Sequence, residues 1–155
     1  MNETEKSNQA ETTLPPRTRL VLLVEDEMVV REITGRVLEN AGYQVLETGS
    51  ASTALHLAAQ HAGKIDLLLT DVVMPEMNGI ELADRISNLK PDLVTVFMSG
   101  YAERDIQRKM AARSAVHIQK PFTISLLLSR VAEALRATPS RDSASGSPCR
   151  HKVSA

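Results

Sequence analysis

The hydrophobic pattern of the chain alternates between two periods. Leu20 to Val24 is an unbroken run of leucine and valine side chains, as expected for a strand that is covered on both faces. After this run, apolar side chains recur at helical spacing, at Val30, Ile33, Val37 and Ala41. The pattern therefore predicts one buried strand that is followed by one amphipathic helix.

This unit of strand and helix recurs four more times. The predicted strands cover residues 43–46, 65–70, 93–98 and 115–118, and the predicted helices cover 50–60, 79–88, 103–113 and 123–137. Short strands that alternate with helices imply right-handed crossovers and a parallel sheet between two layers of helices. The expected fold class is therefore α/β, with five strands and five helices.

The composition of the chain indicates one domain. A chain of 155 residues buries a single core of ordinary size. The polar segments 1–18 and 138–155 hold too little apolar surface to offset their ordering entropy, so we expect disordered tails on both sides of a folded region of residues 19–137. A formal charge of −1 offers no general attraction to nucleic acid or to an anionic membrane.

The sequence also carries signals about compartment. It has no apolar run long enough to span a bilayer, and its N-terminus lacks the basic and apolar regions of a signal peptide. Cys149 is the only cysteine, which excludes an internal disulfide and a zinc site built on cysteines. We expect a cytoplasmic protein with neither nucleic acid nor membrane as its partner.

Several polar side chains follow the predicted strands. They are Glu25 and Asp26 after the first strand, Asp71 after the third, Ser99 after the fourth and Lys120 after the fifth. The carboxyl ends of parallel strands lie on one edge of a sheet, which is where ligands bind in this class of fold. Three carboxylates without histidine or cysteine suit a hard divalent cation such as Mg²⁺, and a backbone carbonyl such as that of Val73 could complete its shell.

Each of these acids also has an ordinary interpretation. Acids at strand ends are commonly solvated loop residues, and Asp26 is well suited to cap the first predicted helix. For one acid alone that interpretation is favoured. Three acids together with one cation, Lys120, at one sheet edge form a set that can bind and react with a ligand, whereas a single solvated acid cannot. We therefore favour a functional site.

Four segments resemble, in order and spacing, the receiver domain of two-component response regulators. The segments read VEDE at 24–27, LTDVVMPEMNG at 69–79, FMSGY at 97–101 and QKPF at 119–122. The resemblance covers residues 19–136. It implies a flavodoxin-like (βα)5 fold, a doubly wound parallel sheet with strand order 2-1-3-4-5. It also implies an aspartate that accepts a phosphoryl group from a histidine kinase or a histidine phosphotransfer protein.

The resemblance assigns a role to each matching residue. Asp71 resembles the phosphoacceptor, and Glu25 and Asp26 resemble the acidic pair that holds Mg²⁺, with Asp26 as the direct ligand and Glu25 acting through water. Ser99 resembles the switch hydroxyl, and Lys120 resembles the lysine that pairs with the phosphate. The family keeps the bond between that lysine and the following proline cis, so a cis Lys120–Pro121 bond is expected.

The switch region departs from the family pattern at one position. His117 stands three residues before the lysine, where the family commonly has tyrosine or phenylalanine. One interpretation is that His117 takes part in the switch, and the other is that it is a half-exposed strand residue with no such role. Tyr101 is a candidate for the missing ring, and Gly100 leaves the loop after Ser99 sterically free to move.

Two surfaces are candidates for partner contacts. The predicted helix 103–113 displays the basic side chains of Arg104, Arg108, Lys109 and Arg113, and in receivers this region reports phosphorylation to a downstream protein. Met28 and Val29 follow the acidic pair and could contact the helical bundle of a kinase.

Nothing after Ala137 could form an output domain, so we expect a receiver that stands alone, as a monomer or weak dimer. The segments FMSGY and QKPF also resemble those of receivers that are fused to hybrid histidine kinases.

Two other functions compete with a phosphoacceptor switch. A Mg²⁺-dependent phosphohydrolase also uses an aspartyl nucleophile, but that class generally has a second aspartate two residues later, where this chain has Val73. The other alternative is a binding module with a vestigial site, which the intact set of five polar side chains disfavours. The expected protein is thus a signalling domain, not an enzyme.

Overall fold

The computed structural model describes residues 18–100, 108 and 116–136. Its strands are β1 (Leu20–Val24), β2 (Gln44–Thr48), β3 (Ile65–Asp71), β4 (Val94–Ser99) and β5 (Val116–Gln119). Its helices are α1 (Met28–Asn40), α2 (Ala51–Gln60), α3 (Gly79–Leu89) and α4 (Ile124–Arg136). Apart from Thr18, the two predicted tails lie outside the described residues, and so does the predicted helix 103–113 except for Arg108.

The strands form one parallel sheet in the order β2-β1-β3-β4-β5. This order confirms the predicted doubly wound topology and places β3 at the centre of the sheet. All seven residues of β3 are buried, because neighbouring strands cover both of its edges and helices cover both of its faces. The central position of β3 explains why three successive leucines, Leu67–Leu69, occupy its middle.

Two hydrophobic clusters cover the opposite faces of the sheet. Leu22 and Leu68 belong to the cluster that includes buried residues of α2 and α3. Leu23 and Leu69, one position further along the same strands, belong to the cluster that includes buried residues of α1 and α4. Successive side chains of a strand point to opposite faces, so one apolar run supplies both clusters. In the described ranges, no helix combines the length and apolar character that crossing a membrane requires.

The pairing of β1 with β3 contains one irregularity. Leu20 pairs with Ile65 but Val21 pairs with Leu67, so the register shifts at the start of the strands. The skipped residue, Asp66, is buried, and its Oδ2 accepts a hydrogen bond from the Leu20 amide at 2.8 Å. The Asp66 carboxylate thus satisfies a backbone donor at the edge of the sheet opposite to the predicted site.

The buried faces of two helices differ from the sequence prediction. Ile33 of α1 is 57% exposed, whereas Thr34, Gly35 and Leu38 are buried. The reason is that α1 packs with Gly35 against β2, where a Cβ atom would collide with the Glu47 side chain. In the last predicted helix, 123–137, the helical spacing of apolar residues also predicts that Ile124 shares a buried stripe with Leu127 and Val131, but Ile124 is 59% exposed at the first position of α4.

Candidate functional site

Four strands bring their carboxyl ends to one edge of the sheet. Glu25 follows β1, Asp71 ends β3, Ser99 ends β4 and Lys120 follows β5. The Lys120 amide donates a hydrogen bond to the Ser99 carbonyl oxygen at 2.9 Å, which ties the last two strand ends together. The strand order therefore places side chains from distant parts of the sequence on one edge, as predicted.

Lys120 bridges two of the carboxylates. Its Nζ lies 2.7 Å from Oε2 of Glu25 and 3.2 Å from Oδ2 of Asp71. The Glu25 side chain is fully buried, and its Oε1 also accepts a hydrogen bond from the Glu27 amide at 3.1 Å. A buried carboxylate requires such partners, because burial without them is strongly unfavourable. Glu25 and Lys120 are thus fixed by each other.

Asp26 completes an acidic cluster. One carboxylate oxygen from each of Glu25, Asp26 and Asp71 lies within 4.8 Å of the others. Asp26 is exposed, while the other two acids are buried. It is not the cap of α1, since the N-cap residue is Glu27, which makes no side-chain capping bond. Three converging oxygen donors with one solvent-facing member can hold a hard cation that retains waters.

The crowding of charge changes the ionisation of the cluster. Burial and the neighbouring charge of Glu25 raise the pKa of Asp71 from 3.8 to about 7, although Lys120 opposes this effect. Burial alone would lower the pKa of Lys120, but the hydrogen bond to Glu25 and the charges of both acids raise it. The ammonium group is therefore held in its charged form between the two acids, and the site as a whole favours additional positive charge.

The backbone of Asp71 is packed against the start of α3. The Gly79 amide donates a hydrogen bond to the Val72 carbonyl oxygen at 2.7 Å, and a Cβ atom at Gly79 would collide with the Asp71 carbonyl. Asn78 caps α3 by accepting a hydrogen bond from the Glu81 amide at 2.8 Å. No role at the site is predicted for Gly79 from the sequence. The feature that could have indicated one is a glycine directly after Asn78, a residue well suited to cap a helix.

The other predicted site residues lie near this edge with different exposure. Ser99 is buried, Gly100 is exposed, and Val73, two residues after Asp71, is 61% exposed. Tyr101 lies outside the described residues. The Lys120–Pro121 bond is cis, which confirms that expectation.

His117 lies on β5, opposite Phe97 of β4. Burial lowers the pKa of His117, and the charge of Arg130 on α4 lowers it further. Its Nε2 atom is buried and has no hydrogen-bond partner among the residues described. The His117 side chain therefore lies partly inside the contact between β5 and α4, a position that leaves both interpretations of its role open.

A groove of about 580 Å³ begins at Lys120. Its lining includes Ile33 of α1, Gly100 and Phe122. Two further apolar side chains of α1, Met28 and Val29, are 59% and 65% exposed. The surface next to the acidic cluster is thus unusually apolar for an exposed helix face.

Comparisons with known proteins agree with this geometry. The chain is 40% identical over 116 residues to the sensor kinase CckA of Brucella abortus, covering 74% of this chain and 12% of the kinase. It is 36% identical over 118 residues to the response regulator receiver protein CpdR of the same organism, covering 76% of this chain and 97% of CpdR.

A solved CheY-like receiver domain from Methanospirillum hungatei superposes with a TM-score of 0.71 at 27% identity, covering 78% of this chain and 96% of that structure. The model of the response regulator receiver domain matches residues 21–132. The strand order, the convergent edge and this match lead to one conclusion: the chain belongs to the family of response regulator receiver domains.

Proposed function

We propose that Asp71 is the residue that accepts the phosphoryl group in this receiver. The observation that carries the proposal is the bridge from Lys120 to Glu25 and Asp71 inside the acidic cluster. It presents a carboxylate nucleophile beside a fixed cation and two further acids. The site thereby combines a nucleophile with charges that can stabilise a phosphoryl group.

The chemistry follows from the contacts of Asp71. A carboxylate oxygen of Asp71 attacks the phosphorus of a phosphohistidine, and the bond from phosphorus to nitrogen breaks as the new bond to oxygen forms. The imidazole leaves with the electron pair and takes up a proton. Lys120, which lies 3.2 Å from Oδ2 of Asp71, then pairs with a phosphoryl oxygen.

The donor atoms of the cluster fit Mg²⁺. They are carboxylate oxygens only, they converge within 4.8 Å, and Asp26 opens to solvent, as expected for an ion that prefers oxygen ligands and keeps several waters. In the proposal Asp26 and Asp71 hold the ion directly, Glu25 acts through water, and the Val73 carbonyl adds a ligand. Mg²⁺ supplies positive charge that neutralises the phosphoryl oxygens.

The same proposal assigns the response to the end of β4. Phosphorylation adds about two negative charges and three acceptor oxygens at Asp71. Ser99 can donate its hydroxyl to one of those oxygens, and Gly100, which has no Cβ atom, can adopt a wide range of backbone angles as Ser99 moves. Tyr101 and His117 are further candidates for this response.

The partners follow from the exposed surface beside the site. Members of this family interact with histidine kinases or phosphotransfer proteins, and in the proposal such a protein is the phosphoryl donor. The exposed apolar side chains of Met28, Val29 and Ile33 lie on α1, next to the groove at Lys120. They suit the apolar face of a partner helix. A downstream protein would read the phosphorylated state.

We further propose that the chain is a signalling domain without turnover of an external substrate. A phosphohydrolase with an aspartyl nucleophile needs an acid or base two residues after it, and Val73 can supply neither. Hydrolysis would then be limited to the chain's own aspartyl phosphate.

The test is phosphorylation by acetyl phosphate with Mg²⁺, followed by intact-protein mass spectrometry. We expect a gain of one phosphoryl group, which is lost in Asp71→Asn and when Mg²⁺ is chelated. The control is Asp92→Asn, an acid with a 79% exposed side chain on another part of the surface. A gain that persists in Asp71→Asn, or repeated turnover of a phosphate ester, would contradict the proposal.

A further inference from the structure

One arginine outside the predicted site contacts the loop that carries the acidic pair. Arg31 lies on the first turn of α1, six residues after Glu25, and its guanidinium Nη1 donates a hydrogen bond to the Glu25 carbonyl oxygen at 2.9 Å. The same guanidinium lies over Gly49, where a Cβ atom would collide with it. Arg31 therefore connects α1 with the loops that follow β1 and β2.

We infer that Arg31, held against Gly49, is a positioning residue that sets the geometry of the acidic pair for Mg²⁺. The inference rests on the proposed function, because it assumes that the acidic cluster holds the ion. It adds a residue, Arg31, that none of the four receiver-like segments contains.

The contacts of Glu25 show why its carbonyl matters. Its side chain is held by Lys120 and by the Glu27 amide, and its own amide donates to the Thr48 carbonyl oxygen at 3.1 Å. Only the carbonyl remains, and Arg31 holds it. With all three groups fixed, Glu25 has little freedom to rotate about its backbone bonds.

The position of Asp26 depends on this carbonyl. The Glu25 carbonyl and the Asp26 amide belong to one planar peptide group, so a donor that holds the carbonyl also sets the direction in which Asp26 leaves the loop. The Asp26 side chain is exposed, and packing therefore contributes little to its orientation. Arg31 is thus an indirect support for the ligand that we propose binds the ion directly.

Gly49 makes room for the guanidinium. Arginine is planar and carries its donors in a rigid fork, and the absence of a side chain at Gly49 leaves a flat surface against which that fork packs. The backbone of Gly49 is not in the left-handed region, so alanine fits its conformation and conflicts only with Arg31. Gly49→Ala consequently displaces the guanidinium while the positive charge stays on the chain.

Two possible roles of Arg31, one through its charge alone and one through the positioning of Asp26, predict opposite changes in the affinity for Mg²⁺. If Arg31 acted only through its charge, removing it would tighten the binding of a divalent cation, because one repulsive charge would be lost. If it positions Asp26, removing it weakens binding, as losses of groups that orient metal ligands do. The direction of the change therefore separates the two roles.

The experiment is calorimetric titration of the full chain with Mg²⁺, without any phosphodonor. We expect the dissociation constant to rise about tenfold in both Arg31→Ala and Gly49→Ala, and to rise less in Arg31→Lys, which keeps one donor. Thermal unfolding without Mg²⁺ verifies that each variant is folded at the titration temperature. Arg36→Ala is the matched control, since Arg36 is an exposed arginine of the same helix. Like Arg31, it lies close enough to Glu47 for its charge to lower the pKa of that acid.

Two results would overturn the inference in distinguishable ways. Unchanged or tighter Mg²⁺ binding in folded Arg31→Ala and Gly49→Ala would reject the positioning role and leave the proposed metal site intact. Failure of the unaltered chain to bind Mg²⁺ would reject the metal site itself, and the role of Arg31 with it.

Discussion

Helices α1 and α3 each follow a strand whose carboxyl end leads into the acidic cluster, β1 and β3 respectively, yet they differ in how they use their apolar residues. Among the residues described, α1 leaves Met28, Val29 and Ile33 more than half exposed. Helix α3 buries Ile80, Leu82, Ala83 and Ile86, and its one large exposed apolar residue is Leu89 at the last position.

Their first turns differ as well. The N-cap of α1, Glu27, makes no side-chain capping bond, whereas Asn78 caps α3 and Glu81 adds an acid to its first turn. Helix α3 therefore contributes mainly to the stability of the domain, while α1 keeps apolar surface and an uncapped end beside the acidic pair.

The largest effect is expected from truncating the buried face of α3. Leu82→Ala removes a side chain with no exposed surface and should lower the free energy of unfolding by about 2–5 kcal/mol. Ile33→Ala, on the exposed face of α1, should change it by only about 0.5 kcal/mol. Urea unfolding measures both values, and equal losses would contradict the division between the helices.

Gly79→Ala tests whether α3 also braces the site. A Cβ atom at Gly79 collides with the Asp71 carbonyl, so the end of β3 or the start of α3 must shift, at a cost of about 1–3 kcal/mol. We expect a slower phosphorylation of Asp71 as well, because the nucleophile moves. Gly63→Ala is the control, since a Cβ atom there meets nothing within 4 Å. Equal phosphorylation rates in the two variants would show that the brace has no role.

The acidic cluster at the carboxyl ends of β1 and β3 should itself cost stability when no cation is bound. The pKa of Asp71 is raised from 3.8 to about 7, so the folded protein binds more protons than the unfolded chain between those values. The contribution of Asp71 to the free energy of unfolding therefore falls as pH rises from about 4 to 7, and the cost is complete above pH 7.

Asp71→Asn removes that cost. Without Mg²⁺ we expect the variant to be more stable than the parent by about 1–2 kcal/mol at pH 8 and nearly equal to it at pH 4. Added Mg²⁺ should stabilise the parent more than the variant. Thermal unfolding at both pH values measures this, and a variant that is less stable at pH 8 would reject the explanation.

The smallest effect concerns the helix caps. Asn78→Ala removes a capping bond of 2.8 Å and should cost about 1 kcal/mol. Glu27→Ala removes no capping bond and should cost much less. Urea unfolding of both variants measures the two losses in free energy of unfolding. A larger loss in Glu27→Ala than in Asn78→Ala would show that the stability of α1 depends on its first turn.

Much of this site was predictable because it lies on strand ends. Glu25, Asp71, Ser99 and Lys120 each follow or end an apolar run, and parallel strands bring their ends to one edge without further information. The buried face of α1 was predicted wrongly at Ile33, since the apolar pattern records which side chains are apolar and not which neighbour covers them. In the fold, α1 instead buries the face that carries Leu38 and Gly35, with Gly35 close to the Glu47 side chain of β2.

Local sequence patterns suffice to predict the alternation of strands and helices, the parallel sheet and the acids at its edge, because hydrophobic periodicity and strand ends are local properties. The pairing of Lys120 with both Glu25 and Asp71 is visible only in the assembled fold. The assembled fold alone places Arg31 between Glu25 and Gly49 and packs Gly79 against Asp71. These contacts join residues from different loops, and their formation depends on distances that no local pattern encodes.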